Sequence, residues 1–593
     1  MWVLRACLGV MLVAAPVRAA DAVSFRHDVM AVLSKAGCNL GTCHGNARGK
    51  GGFQLSLRGQ DPDLDYVTLA REWQSRRTNV SAPAESLLIR KPTMQIAHEG
   101  GRRFDLDSDE SRVLQAWIGA GMPADPPTLP ALRSLAVSPA ERLLEAPDWS
   151  FTLSVTAQFA DGSTRDVATK AVYEVGTPIV EVSREGTVRG TSVGETVVLV
   201  RYLDQQFPVR VTLIPARAAV TTTASASANV VDQFIDQKLA RLKLAASPPC
   251  DDATFVRRTT LDLIGTLPTA EEAQQFVKSN DPAKRQAWID HLLERPEFAG
   301  WWAVKWADML RVEEKTLDAK GAQVFHAWLR NAFAEDRPLD ELVRQLIAAR
   351  GSTYEDPPAN FYRALRDPFA RSEAVGQLFL GVRLQCAKCH NHPFDRWTQN
   401  DYYSWANVFS QVDYKVLENN RRDSNDKHEF DGEQIVILND DGKVDDPRTD
   451  KPRPPQFLGA NGKLKESDRL AALADWLTRP DNDRFAQMLV NRAWRHLMGR
   501  GLVEPVDDFR ATNPPSHPEL LQSLANEQRS NGYRLKPLLK MIAMSDAYQR
   551  SSVPVADNAD DEINYSHTVV RRLTAEQLAD GLVQATGGSL AFA

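Results

Sequence analysis

Four cysteines and two histidines in this chain have types and spacings that could do chemistry. Cys386-Ala387-Lys388-Cys389-His390 is a C-x-x-C-H pattern, the spacing used for c-type haem attachment. Scattered at random, six Cys and eleven His in 593 residues would give this pattern about 0.001 times, so chance is a poor account of it. Cys38-Asn39-Leu40-Gly41-Thr42-Cys43-His44 is the same arrangement with two more residues between the thiols. Attachment needs two thiols to add across the two vinyl groups and an imidazole beneath the iron. Residues three apart on a helix share a face, so Cys386 and Cys389 meet the first need and His390 follows to meet the second. The apolar stretch Ala374 to Leu384 could wall the ring. At the first cluster the intervening segment must bulge, and Gly41 is the expected bend because it tolerates positive φ.

The ligand on the far side of the iron decides what a haem does: His or Met gives an electron-transfer centre, and an empty position allows ligand binding or peroxide chemistry. For the first cluster, His98 and Met94 are the available ligands, with Met122 a third. For the second none stands out. His392, two residues past His390, is expected to hold a propionate or a carboxylate instead. Other readings stand beside haem. Paired thiols in an exported protein can form a disulfide. Cys386, Cys389, His390 and His392 can bind structural zinc. C-x-x-C can be a redox dithiol, although the βαβ context of that fold is missing.

The elements that must position these residues fall into an ordered series. Residues 1–19 have the form of a cleaved signal peptide: Arg5, an apolar run from Ala6 to Ala15, and Val17-Arg18-Ala19 as a small-x-small site. The run is too short to span a bilayer, and nothing later approaches 18 uninterrupted apolar residues. A periplasmic or secreted protein is expected, with no transmembrane segment in the mature chain, in a compartment where thiols pair or are modified. The formal charge of −6 offers no basic excess for nucleic acid. The length suggests about four domains, and 43% apolar with 25% charged residues is ordinary for a globular protein.

Residues 20–125 read as a small helical cytochrome c-like domain, with helical periodicity from Ser24 to Ala36 and from Ser108 to Ala120. Prolines 123, 126, 127 and 130 mark a linker. Residues 131–215 carry short alternating strands, notably Phe151 to Phe159 ending at Asp161-Gly162, and predict a β-sandwich. Residues 216–229 are a linker. Residues 230–415 read as helix, with a capping box at Thr269 and Glu272. Residues 416–465 read as a loop containing a hairpin from Ile435–Leu438 through Asp440-Asp441-Gly442 to Val444, and 466–593 return to helix. The whole is expected to be multidomain and mainly α. Arg258 and Asp262, four apart, predict a salt bridge, and Trp301, Trp302 and Trp306 predict core rather than a sugar platform.

The motif Leu380-Gly-Val-Arg-Leu-Gln-Cys-Ala-Lys-Cys-His-Asn-His-Pro-Phe-Asp-Arg-Trp397, with Phe255 to Pro268, resembles the second planctomycete cytochrome C domain. Asn491-Arg-Ala-Trp494 and Gly499 to Asp508 resemble the C-terminal domain that accompanies it. Cys43-His44-Gly45, His98-Glu-Gly-Gly101 and Trp117-Ile118 look like the companion N-terminal cytochrome C-like domain, and Phe159 to Val167 with Gly186-Thr-Val188 resembles a bacterial group 2 Ig-like domain. The resemblance implies exported, haem-binding proteins without an established reaction, associated with polysaccharide use. It favours His98 as the distal ligand of the first haem. It also implies a C-terminal domain that normally runs beyond Leu573–Gln577, so that this chain looks truncated. The expected function is therefore an exported protein holding two haems c, anchored by Cys38 and Cys43 with His44 and by Cys386 and Cys389 with His390. It would transfer electrons with an unknown redox partner, and polysaccharide or cell-surface glycan is a further expected partner. The rival expectation is a non-redox surface scaffold or glycan-binding protein with disulfide or zinc at the clusters; a peroxidase-like haem enzyme is a third.

Overall fold

A computed structural model describes residues 22–46, 48–73, 75–218, 228–421, 430–460, 462, 464–555 and 557–588. The expected signal peptide and most of the 216–229 linker lie outside the described residues. The chain divides into two compact units, one formed by residues up to 144 with 148–213, the other by 145–147 with 214–593.

In the first unit, a helical segment runs from Phe25–Val29, a π turn, into Met30–Lys35. Ser24 caps it by accepting from the His27 amide. The helices Pro62–Ala70 and Asp109–Gly119 are capped by Asp61 and Ser108. Phe25, Val29, Ile89, Leu114, Trp117 and Ile118 close a small core between these short pieces. The strands that follow make three small antiparallel sheets. The alternating run Phe151 to Phe159 is not one strand. Ser150–Thr152 pairs with Thr187–Gly190, whereas Ser154–Phe159 pairs with Leu132–Ser138. The chain changes sheet at the buried Leu153. The helical and sheet parts pack together: Ala31 enters the sheet core, and the Tyr202 hydroxyl donates to the His27 carbonyl at 3.0 Å.

The second unit is built on helices around one large core, with Trp301, Trp302, Trp306, Trp405 and Trp494 all buried in it. The Thr269–Glu272 capping box forms as its sequence predicts. Asp262 is not paired with Arg258. Its carboxylate takes both Arg571 (2.7 Å) and the Tyr548 hydroxyl (2.8 Å), while Arg258 donates to the carbonyls of Tyr548 and Arg550. The strand Gln434–Leu438 does not fold back on Val444. It pairs with Val412–Val416 and with Gly351–Ser352, which puts Val436 into the core. Asp318 is a second buried junction, held at φ 55° inside the Glu314–Ala334 helix. Its carboxylate accepts from the Gly321 and Gly432 amides, the Tyr354 hydroxyl and the buried Arg363 guanidinium (3.0 Å).

These elements correct the expected fold class. The chain is 42% helical and 14% strand, a mixed α/β protein rather than a mainly α one led by a cytochrome c-like domain. The reason is local. Among the described residues up to 125 the helical pieces are short and separated by turns, and strands recur between residues 351 and 452, a span that reads as helix to 415 and as a loop with a hairpin beyond it. The strands of 132–214 fall into three sheets. No described helix is long and apolar enough to cross a membrane.

Candidate functional site

At the first cluster the helix ends at Lys35, and the chain reverses through Gly37 at φ 73°. The Cys38 amide then donates back to the Leu33 carbonyl at 2.9 Å. The left-handed residue is thus Gly37 and not Gly41, which is absent from the positive-φ positions. The Leu40 carbonyl accepts from both the Cys43 and Gly45 amides, and the His44 amide donates to the Cys38 carbonyl at 3.0 Å. These bonds fold the segment from Cys38 to His44 into a tight loop.

His44 and His98 face one another. Their ring centres are 6.5 Å apart and their planes lie within 13° of parallel. Each ring is held by its Nδ1. That of His44 donates to the Phe53 carbonyl at 2.9 Å, and that of His98 to the Gly101 carbonyl at 2.8 Å. A carbonyl can only accept, so the proton is on Nδ1 and the lone pair on Nε2 in both neutral rings, the arrangement that orients histidine for a metal. Burial holds the His44 pKa below its ordinary value, against the opposing pull of the Phe53 carbonyl, and this favours the neutral ring a ligand needs. The residue types and the proton positions are those that would let His44 and His98 hold a haem iron.

Gly100 permits the His98 orientation, because a Cβ there would lie 2.9 Å from the ring's Cε1. The Lys50–Glu99 ion pair (2.7 Å) ties the two histidine-bearing segments together. Arg103 donates to the Cys43 sulfur at 3.2 Å. Cys38 is half-buried by surface area, yet enough protein surrounds its sulfur that burial pushes the thiol up to about 12. Met94 is turned to solvent, 44% exposed, and Met122 packs on the small core. Sequence reasoning missed Phe53, Gly101 and Arg103. The first two act through backbone carbonyls and leave no side-chain signature.

At the second cluster, Gln385–Lys388 is a 3₁₀ turn, in which residues three apart eclipse, so Cys386 and Cys389 project from one side. Both are exposed. The buried Ala387 seats the turn, and the Lys388 carbonyl accepts from the Tyr403 hydroxyl at 3.1 Å. Asn391 anchors the following segment by accepting from the Gln399 amide, the first residue of the Gln399–Ala406 helix. His390 donates from Nδ1 to the Asn391 carbonyl at 2.8 Å, which leaves its lone pair on Nε2. His392 differs: its Nδ1 accepts from the Phe394 amide at 3.2 Å. Val375, Phe379, Leu380, Val382 and Leu384, expected to wall the ring, are committed to the hydrophobic core.

All five described cysteines are free thiols. Among the described residues, no group of three or more His, Cys, Asp or Glu side chains gathers in a metal-holding arrangement, at the first cluster or the second. His517 is buried and His496 half-buried within the second unit; His496 bonds through Nε2 to the Asp262 carbonyl at 2.7 Å.

No curated protein matches the chain. Residues 230–414, which contain the second cluster, match the family model PSCyt2, protein of unknown function (DUF1549). Residues 468–590 match PSD1, protein of unknown function (DUF1553). Over these two segments the chain carries planctomycete-type domains of unknown function.

Proposed function

We propose that this chain is an exported haem c-binding protein that transfers electrons, with haem attached at both cysteine clusters. The observation that carries the reading is the pair of parallel imidazoles, His44 and His98, each with Nδ1–H anchored on a carbonyl and each presenting Nε2 as the lone-pair nitrogen. Cys38 and Cys43 would hold the ring covalently beside His44; Cys386 and Cys389 would do so beside His390. A haem bound in this way supplies reversible one-electron exchange at its iron.

The residues contribute placement. The Phe53 and Gly101 carbonyls hold the two imidazoles in one tautomer and one orientation, which limits rearrangement when the charge at the site changes. Phe53 also lays its ring against His44, with centres 4.5 Å apart, and so covers one side of the imidazole. The Arg103 guanidinium brings fixed positive charge to the thiol side of the site. The pyridine haemochrome spectrum of protein purified from cells able to mature c-type cytochromes tests the reading. Two thioether-bound haems per chain are expected, and a spectrum without haem refutes it.

A further inference from the structure

The first unit holds a cavity of about 470 Å³ between the Met30–Lys35 helix, the Asp109–Gly119 helix and the turns at 169–170 and 184–185. Val23, Val32, Val113 and Ala116 give it an apolar wall, and Lys35 lines it beside them. We propose that Lys35 is a carbonyl-reactive amine, and that this cavity admits a short-chain aldehyde which condenses with its Nζ to an imine. In that step Nζ bonds to the carbonyl carbon, the C–O bond breaks, and the oxygen leaves as water with the two protons of the amine. No oxidant or reductant is consumed. The proposal uses no residue of either cysteine cluster and does not depend on the haem reading.

Three observations carry it. First, the amine is held in place. Lys35 is the last residue of its helix, and its Nζ reaches across to donate to the carbonyls of Ala171 (2.5 Å) and Arg184 (2.8 Å). A neutral amine has two N–H groups and one lone pair. The two carbonyls take the N–H groups and leave the lone pair for an electrophile. Second, the surroundings favour the neutral amine. Burial and the Arg184 guanidinium act against the ammonium, while Glu110, Glu185 and the Tyr173 ring, 4.8 Å from Nζ, act for it. Burial is the largest of these influences, and the Lys35 pKa is pushed down to about 8. At pH 8 about half of Lys35 is then free amine, against about 0.3% of a lysine titrating at the ordinary 10.5. Third, the other cations of the lining are already paired: Arg112 with Asp109, Lys170 with Asp28 (2.6 Å) and Arg184 with Glu110. Their charge is balanced within the protein, so the cavity suits a neutral molecule rather than a phosphate or a carboxylate. A neutral aldehyde places its chain on the valine wall and its carbonyl carbon at Nζ, and a cavity of this size is ample for it.

The test is reductive trapping. The full-length purified protein is treated at pH 8 with limiting butanal and cyanoborohydride, which reduces an imine to a stable secondary amine, and the labelled lysines are read by peptide mass spectrometry. Lys35 should be butylated at least about tenfold faster than the exposed Lys91 and Lys278. Its rate should level off above about pH 8, whereas theirs should keep rising beyond pH 10. Ala116→Phe, at an exposed position of the cavity wall, should slow labelling of Lys35 and leave Lys91 unchanged. Labelling of Lys35 no faster than that of Lys91 and Lys278 would overturn the proposal. So would a rate at Lys35 that climbs without levelling, or one that Ala116→Phe leaves untouched, since the aldehyde would then not be entering through the cavity.

Discussion

At the first cluster the two thiols are half-buried and the rings of His44 and His98 have their centres 6.5 Å apart; the turn from Gln385 to Trp397 presents both thiols to water, and of its two histidines His390 shares the proton arrangement of His44. The difference does not come from the cysteines or from the adjacent histidines, which are alike. It comes from what meets the second histidine. At His98 this is a carbonyl on its own turn; at His392 it is an amide. The two backbone hydrogen bonds thus call for opposite roles of Nδ1, donor in His98 and acceptor in His392. The supports differ too. The first cluster is held by its own loop bonds and a neighbouring turn, whereas the second is a short 3₁₀ turn seated on a large helical core through Ala387.

The largest effect should come from removing each thiol pair in turn. Cys38→Ser with Cys43→Ser, and separately Cys386→Ser with Cys389→Ser, should each halve the covalent haem seen by haem staining of a denaturing gel, and the quadruple variant should abolish it. Loss of all haem on removing one pair alone would break the picture of two independent attachments.

The burial contrast can be sharpened in protein made without haem. With its thiol pushed up to about 12 from an ordinary 9.0, Cys38 should carry roughly 1000-fold less thiolate at pH 8 than an unperturbed thiol. Alkylation followed by peptide mass spectrometry should find Cys386 and Cys389 modified long before Cys38, and comparable rates would contradict the contrast. The same shift has a sign in stability. The folded state holds the Cys38 proton after the unfolded chain has released it, so this contribution is present below about pH 9 and is lost as the pH rises toward 12. Urea midpoints of the haem-free protein should fall over that window, and should fall less in Cys38→Ala.

A third effect tests the Asp318 junction of the second unit. Asp318→Ala leaves the buried Arg363 guanidinium without its carboxylate and should cost about 3–5 kcal/mol in denaturant unfolding. An unchanged midpoint would show that the Asp318 junction does not hold the second unit together. The smallest effect belongs to Gly100→Ala. The added Cβ would crowd the His98 ring and should cost about 1–3 kcal/mol. It should also add a high-spin fraction to the haem spectrum, and a purely low-spin spectrum would mean the turn yields without moving the ring.

Of the candidate site, the sequence offered the residue types, and one of the ligands it offered for the first cluster, His98, has its ring centre 6.5 Å from that of His44. Helix starts were legible as well, because Ser108 and Thr269 cap within three residues of themselves. What could not be read depends on distant or backbone partners. Gly41 looked like the bend, but the helix end at Gly37 had already reversed the chain. Arg258 and Asp262 have the spacing of an ion pair, yet Arg571, more than 300 positions away, reaches Asp262 instead. The strand Gln434–Leu438 carries a turn beside it and still pairs with Val412–Val416. Periodicity reports which face of an element is apolar, not which element will cover it. For the same reason, alternation across 131–215 predicted strands without revealing the change of sheet at Leu153.

The central claim is that porphyrin is joined through sulfur to this polypeptide at both clusters. Peptide mass spectrometry of the purified protein, from cells competent in c-type haem attachment, tests it most directly. The account predicts one added haem on the peptide containing Cys38, Cys43 and His44, and one on the peptide containing Cys386, Cys389 and His390. Bare masses for both peptides would contradict it.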